Sequence, residues 1–185
     1  MKIIRTLIPE VVLLEPEVFG DSRGFFLETY SASKYKSVGI DGDFVQDNHS
    51  RSGANILRGL HYQLKHPQGK LVRVARGRVF DVALDIRLGS KTFGMAVWAE
   101  LSDENMHQLY IPPGFAHGFC VLSDYADFEY KCTDYYHPDD EGGISWNDPE
   151  LNIPWPTKSP VVSDKDSKYF NLSDISHANL PAFTT

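Results

Sequence analysis

The sequence predicts an all-β fold, a sandwich or barrel of short antiparallel strands. Three observations lead there. Apolar runs of four to eight residues follow one another from Leu57 to Thr133, separated by turn residues. Within Val79–Ile86, Phe80, Val82, Leu84 and Ile86 alternate with Asp81, Ala83 and Asp85, the period of two that marks a strand with one apolar face. Only one stretch before the C-terminal region reads convincingly as helix.

In order along the chain, the first strand signal is Val11–Leu14, ended by Pro16. Phe25–Tyr30 follows the turn Gly20-Asp21-Ser22-Arg23-Gly24. Ser31 is placed to cap a short helix through about Val38, with Gly39 as its stop. Then come Leu57–Leu64, Leu71–Ala75, Val79–Ile86, Gly94–Leu101, Gln108–Ile111, Phe119–Leu122 and Phe128–Thr133, with Arg76-Gly77 as a hairpin turn. Beyond Gly142 the chain is rich in Pro and Asp and is expected to wrap the barrel as loop and short helix, so residues 1–185 form a single domain.

Composition narrows the function. A net charge of -7 argues against nucleic acid as a partner, and no apolar run is long enough for a membrane span. The two cysteines, Cys120 and Cys132, lie in apolar runs and read as buried, reduced thiols. No signal-peptide core precedes Pro9, so a cytoplasmic enzyme is expected.

Alternation also tells which polar side chains point inward. His61 and Gln63 share a face with Leu57 and Gly59, while Leu60, Tyr62 and Leu64 take the other. His117 goes with Phe119 and Val121, Lys70 with Val72 and Val74, and Tyr130 with Phe128 and Cys132, leaving Glu129 and Lys131 to solvent. Two histidines, a lysine and a tyrosine are hard to satisfy together in a dry core, so they are read as a small-molecule pocket. Arg58 falls on the face opposite His61 unless Gly59 marks a bulge.

The segment Pro112-Pro113-Gly114-Phe115-Ala116-His117 matches the second metal-binding motif of cupin barrels, P-x-G-x-x-H. The first motif requires H-x-H and a downstream Glu, and the corresponding strand offers only His61-Tyr62-Gln63. No metal and no cofactor are therefore expected, and His61 is read as an acid–base group.

The chain resembles the dTDP-4-dehydrorhamnose 3,5-epimerase family. The resemblance rests on Glu15–Glu28 with Phe19-Gly20-Asp21 and Arg23-Gly24-Phe25-Phe26, on Phe44–Ser50, and on Leu57-Arg58-Gly59-Leu60-His61-Tyr62-Gln63. It continues through Gln68-Gly69-Lys70, Val79–Arg87, Ile111–Phe119, Tyr130-Lys131, Tyr135-Tyr136 and Ser163-Asp164-Lys165-Asp166. Tyr62 stands where Phe is common, and His137 follows the tyrosine pair.

This resemblance implies a metal-independent cupin-type jelly roll, a homodimer in which N-terminal strands are exchanged and each site borrows part of its partner, and a dTDP-sugar substrate. It implies that His61 is the general base with Asp166 as its carboxylate, that Tyr130 donates the proton on the opposite face, and that Lys70 lies near the ketone oxygen. Arg23, Glu28, Gln46, Asp47, Asn48, Arg58, His117, Glu141 and Lys165 are implied to hold the substrate, and Tyr136 to stack on the thymine. The residues themselves leave Asp81 and Asp85 open as alternatives to Asp166.

The chemistry suits such a set. Removing a proton next to a ketone puts charge on the ketone oxygen, so a base is needed at the carbon and a cation or donor at the oxygen. Returning the proton to the other face of a sugar ring needs a second group across the ring.

Overall fold

The computed structural model describes residues 1–183. In chain order the strands are β1 (Lys2–Arg5), β2 (Val12–Glu15), β3 (Val18–Asp21), β4 (Gly24–Leu27), β5 (Gln46–Gly53), β6 (Leu57–Gln63) and β7 (Lys70–Arg76). They continue with β8 (Arg78–Asp85), β9 (Ala96–Ser102), β10 (Gln108–Ile111), β11 (Phe115–Val121), β12 (Tyr125–Cys132) and β13 (Glu141–Gly143). The single α-helix among the described residues is α1 (Ala32–Lys36).

Two antiparallel sheets face each other as a jelly-roll barrel: β1-β2-β10-β7-β12-β5 and β13-β6-β11-β8-β9. Between them lies an apolar interior built on Val72, Val74, Val97, Leu109, Ile111, Phe119 and Phe128. Strands β3 and β4 pair only with each other.

The Gly77 turn does not close a hairpin. Strand β7 pairs with β10 and β12, and β8 pairs with β11 and β9, so this turn carries the chain from one sheet to the other. Gly77 has φ +82, and a Cβ there would strike the Tyr125 carbonyl oxygen.

The apolar face of β8 has an unexpected address. Phe80, Val82 and Leu84 point away from the barrel interior and pack with Leu60, Tyr62, Ile144, Leu172 and Leu180. The C-terminal segment supplies that second core. It wraps the five-stranded sheet with 3₁₀ turns at Asp166–Lys168, Leu172–Asp174 and His177–Asn179. The other face of β8 carries Asp81 into the barrel, where it is buried.

Helix α1 begins after Ser31, although the Ser31 hydroxyl makes no capping bond, and Gly39 at φ +88 follows its end. Tyr35 pins the helix to the sheet through a 2.6 Å hydrogen bond to Gln108 Oε1. Cys120 and Cys132 are buried and free.

Candidate active site

The site begins with an irregularity in β6. Opposite β11, His61 pairs with His117 and Arg58 pairs with Phe119, so Gly59 and Leu60 of β6 stand against Gly118 alone. This bulge turns Arg58 onto the same face as His61. Gly59 makes it possible: its φ is +118, and a Cβ would lie 2.6 Å from Gly118 Cα and 2.7 Å from the His117 carbonyl oxygen. Arg58 then donates from Nε to Ser52 Oγ at 2.9 Å.

The inward faces of the two sheets enclose a cavity of about 310 Å³, a size that suits a small ligand. His61 and His117 line it from the five-stranded sheet, and Lys70 and Tyr130 from the six-stranded sheet. Gln46, Asn48, Arg58, Gln63, Tyr136 and Glu141 complete the rim, with Phe119 and Phe128 stacked 4.1 Å apart in the wall.

Each histidine has its own carboxylate. His61 Nε2 lies 2.8 Å from Asp166 Oδ1, and the second Asp166 oxygen accepts the Gly59 amide at 3.3 Å. His117 Nε2 lies 3.0 and 3.1 Å from the two Asp81 oxygens. Asp85 sits elsewhere, bound by Arg87, Ser90 and Thr92. Of the three carboxylates left open by the sequence, Asp166 is therefore the one at His61. Burial works to raise the Asp166 carboxyl, but the His61 and Gly59 hydrogen bonds outweigh it and hold its pKa below the usual range. At His117, burial prevails over Asp81 and pushes the imidazole down.

Burial raises the Tyr130 phenol, so it stays protonated at neutral pH. Burial lowers the Lys70 ammonium, which makes no ion pair or hydrogen bond to another side chain among the described residues. At the mouth, Glu141 accepts from Tyr136 Oη and Lys165 Nζ, both at 2.6 Å. Its carboxylate pushes the Tyr136 phenol up to about 12. The Tyr136 loop is fastened from below: Gln46 Oε1 accepts the Tyr136 amide at 2.9 Å, and Gln63 Oε1 accepts the His137 amide at 2.7 Å.

Three residues expected at the site lie apart from this cavity. Asp47 alternates onto the outer face of β5 and pairs with Lys131 at 2.8 Å. Arg23 and Glu28 belong to the β3–β4 region, where they pair with Asp21 and Lys34. A second cavity of about 320 Å³ opens on the outer face of the six-stranded sheet. Its charges are already matched, Arg73 with Glu129 and Lys131 with Asp47, and of the acid–base set it touches Tyr130 but neither His61 nor Lys70.

Sequence reasoning passed over Ser52, which anchors Arg58, and Gln68, which lines the cavity. It also missed β5 as a strand. That strand alternates Gln46, Asn48, Ser50 and Ser52 with Asp47, His49 and Arg51, polar on both faces, so a hydrophobic period has nothing to detect.

Among the described residues, no three His, Cys, Asp or Glu side chains are grouped so as to hold a metal ion. No helix among them is long and apolar enough to cross a membrane. A jelly roll whose cavity carries a carboxylate-bound imidazole and a protonated phenol on opposing sheets is equipped to add and remove protons at a bound ligand, the chemistry of proton-transferring isomerases. Comparison with known proteins narrows that class to carbohydrate epimerases of the cupin type.

A family model described as dTDP-4-dehydrorhamnose 3,5-epimerase matches residues 5–174. The chain is 56% identical over 168 residues to the dTDP-4-dehydrorhamnose 3,5-epimerase of Pseudomonas aeruginosa, covering 90% of this chain and 93% of that protein. It is 52% identical to the enzyme of the same name from Escherichia coli K12, covering 98% of this chain and 100% of that one. The structure superposes with a TM-score of 0.97 on a dTDP-6-deoxy-D-glucose-3,5-epimerase from Legionella pneumophila, solved in complex with dTDP-4-keto-L-rhamnose. Identity there is 53%, covering 100% of this chain and 99% of that one. The chain belongs to the dTDP-4-dehydrorhamnose 3,5-epimerase family.

Proposed function

We propose that this chain inverts C3 and C5 of dTDP-4-dehydro-6-deoxy-D-glucose to give dTDP-4-dehydro-L-rhamnose. One observation carries the reading: His61, held by Asp166, and Tyr130 come from opposing sheets and border the same cavity. With Nε2 engaged by Asp166, and Glu141 Oε1 3.9 Å from Nδ1 and so beyond hydrogen-bond reach, Nδ1 of His61 is the nitrogen left to take a proton from carbon. The electron pair moves into the enolate, whose oxygen is stabilised by the Lys70 ammonium, a readier donor because burial lowers it. Tyr130 returns a proton to the opposite face, and exchange with solvent restores both groups. No carbon changes its oxidation state when the two inversions are complete, so the reaction asks for no redox cofactor.

Arg58 and Lys165 are suited to the diphosphate and Tyr136 to the nucleobase, with His117, Gln46, Asn48 and Glu141 as further substrate contacts. Arg23 and Glu28 reach a site in this scheme only from a second copy, in a homodimer that exchanges N-terminal strands. The β3–β4 hairpin supports that arrangement. Phe19, Phe25 and Phe26 are 56%, 60% and 68% exposed on it, and a lone two-stranded hairpin is marginal without a surface to pack on. Two free thiols agree with the cytoplasm as location.

Turnover in heavy water tests the reaction. Deuterium at both C3 and C5 is the expected result. Label at one carbon assigns a mono-epimerase instead, and unlabelled substrate after prolonged incubation refutes the proposal.

A further inference from the structure

Tyr169 is used by nothing described so far. It follows the 3₁₀ turn Asp166–Lys168, so the short segment that delivers the carboxylate to His61 also delivers this ring. The two rings meet edge to face, with centroids 5.8 Å apart and planes inclined at 72°. The tyrosine ring also rests on Gly143, the residue that pairs with His61 across β13 and β6. A Cβ at Gly143 would lie 2.2–2.5 Å from three atoms of the Tyr169 ring, so the bare backbone of β13 is what admits it.

The hydroxyl is a poor candidate for chemistry. It is buried and has no hydrogen-bond partner. Tyr169 lines neither of the cavities that His61 borders. Burial, followed by the Glu141 and Asp166 carboxylates, raises its pKa, so it stays protonated at neutral pH. What remains is the ring, set against both the backbone of Gly143 and the imidazole.

We propose that Tyr169 is a positioning residue for His61: its ring, seated on the bare backbone of Gly143, holds the imidazole so that Nε2 stays on Asp166 and Nδ1 faces the cavity. The inference rests on the reading of His61 as the base. It deepens that reading by naming what fixes the ring's orientation, which a single hydrogen bond to Asp166 leaves free to swing about the Nε2–Oδ1 direction.

Turnover and the ¹⁵N-histidine spectrum of the full-length protein test it. Tyr169→Ala and Tyr169→Leu are expected to lower kcat by about tenfold while KM stays within about twofold, because a slightly misplaced base loses rate and not affinity. In both, the His61 Nε2–H signal should broaden through faster exchange with water. Gly143→Ala, which expels the ring without touching Tyr169, should do the same, and the Gly143→Ala/Tyr169→Ala double variant should be no worse than either single one. Tyr169→Phe keeps the ring and should match the parent protein. Should Tyr169→Ala fold poorly, the leucine and Gly143 variants carry the test. Parent-like kcat and an unchanged His61 signal in Tyr169→Leu and Gly143→Ala overturn the proposal, and so does a Tyr169→Phe variant as slow as Tyr169→Leu. His61→Asn separates the two levels: if it keeps turnover, the base assignment fails, while the Nε2–H signal in the Tyr169 variants still reports whether the ring is held.

Discussion

Replacing Asp166 by Asn tests the catalytic reading with little change of shape. The carboxylate lies 2.8 Å from His61 Nε2, and its other oxygen holds the Gly59 amide at 3.3 Å, so it secures both the base and the bulge beneath it. An asparagine can keep an oxygen on one of these groups, but it carries no charge to meet the imidazolium that forms on proton abstraction. If its NH₂ turns toward Nε2, the imidazole proton is driven to Nδ1, the nitrogen that must act as base. A hydrogen bond to a charged group contributes about 1.5–3 kcal/mol. If the whole of it is realised only in the transition state, kcat falls by about 10- to 150-fold. Substrate contacts on the rim are untouched, so KM should change little. The Asp166 carboxyl is held below its unfolded value, so its contribution to stability is present at neutral pH and lost in acid. Asp166→Asn should therefore also melt at a somewhat lower temperature at pH 7. Steady-state turnover with the 4-keto sugar nucleotide, together with solvent deuterium uptake, measures the effect. A folded Asp166→Asn protein whose kcat stays within about threefold of the parent would falsify the assignment of His61–Asp166 as the base pair.

Three further outcomes follow from other parts of the molecule. Gly59→Ala forces a side chain into a left-handed position against Gly118 and His117, and should cost about 2 kcal/mol or more in urea denaturation; a smaller loss contradicts the packing of the bulge. The Arg51 hydrogen bonds, opposed by burial and aided by His49, pull the Asp127 carboxyl to about 2, below an unfolded value of about 3.9. Its stabilisation is therefore full above about pH 4 and fades as pH falls toward 2. Melting temperatures between pH 5 and 2 should drop more steeply for the parent than for Asp127→Asn, and parallel curves would contradict the ion pair. Phe26→Asp places a charge on the exposed hairpin; if two copies bury that ring, dimer dissociation should rise by about a hundredfold or more. Sedimentation that shows the same dimer, at the same strength, would remove the hairpin from the proposed interface.

Much of the barrel was legible because hydrophobic alternation is a local signal. The runs at 57–64, 71–75, 79–86, 108–111 and 128–133 all correspond to strands, and Gln108–Ile111 agrees residue for residue. Strand β5 was not legible as a strand, since its inward face is lined by Gln46, Asn48, Ser50 and Ser52 in service of the cavity. Strands β1 and β3 bury almost nothing, and β13 is Glu-Gly-Gly, so none of the three carries an apolar face for a period to mark. The Gly77 turn reads as a hairpin because its local chemistry is that of one. Whether two consecutive strands pair or part into different sheets is decided by partners far along the chain, here β10 and β12 on one side and β11 and β9 on the other.

At the cavity, alternation alone brings His61, Gln63, Lys70, His117 and Tyr130 inward, because the direction of a strand side chain depends only on its own backbone. Tertiary structure decided what those groups meet. Asp166 stands 105 residues from His61 in sequence, and nothing local distinguishes it from Asp81 or Asp85. Arg58 reaches the pocket only because the close approach of β11 at Gly118 leaves room for a glycine alone at 59. Which side chains face inward is written in successive residues; which charges and rings come to lie against them depends on strand order and on the return of the C-terminal segment, and no local pattern encodes either.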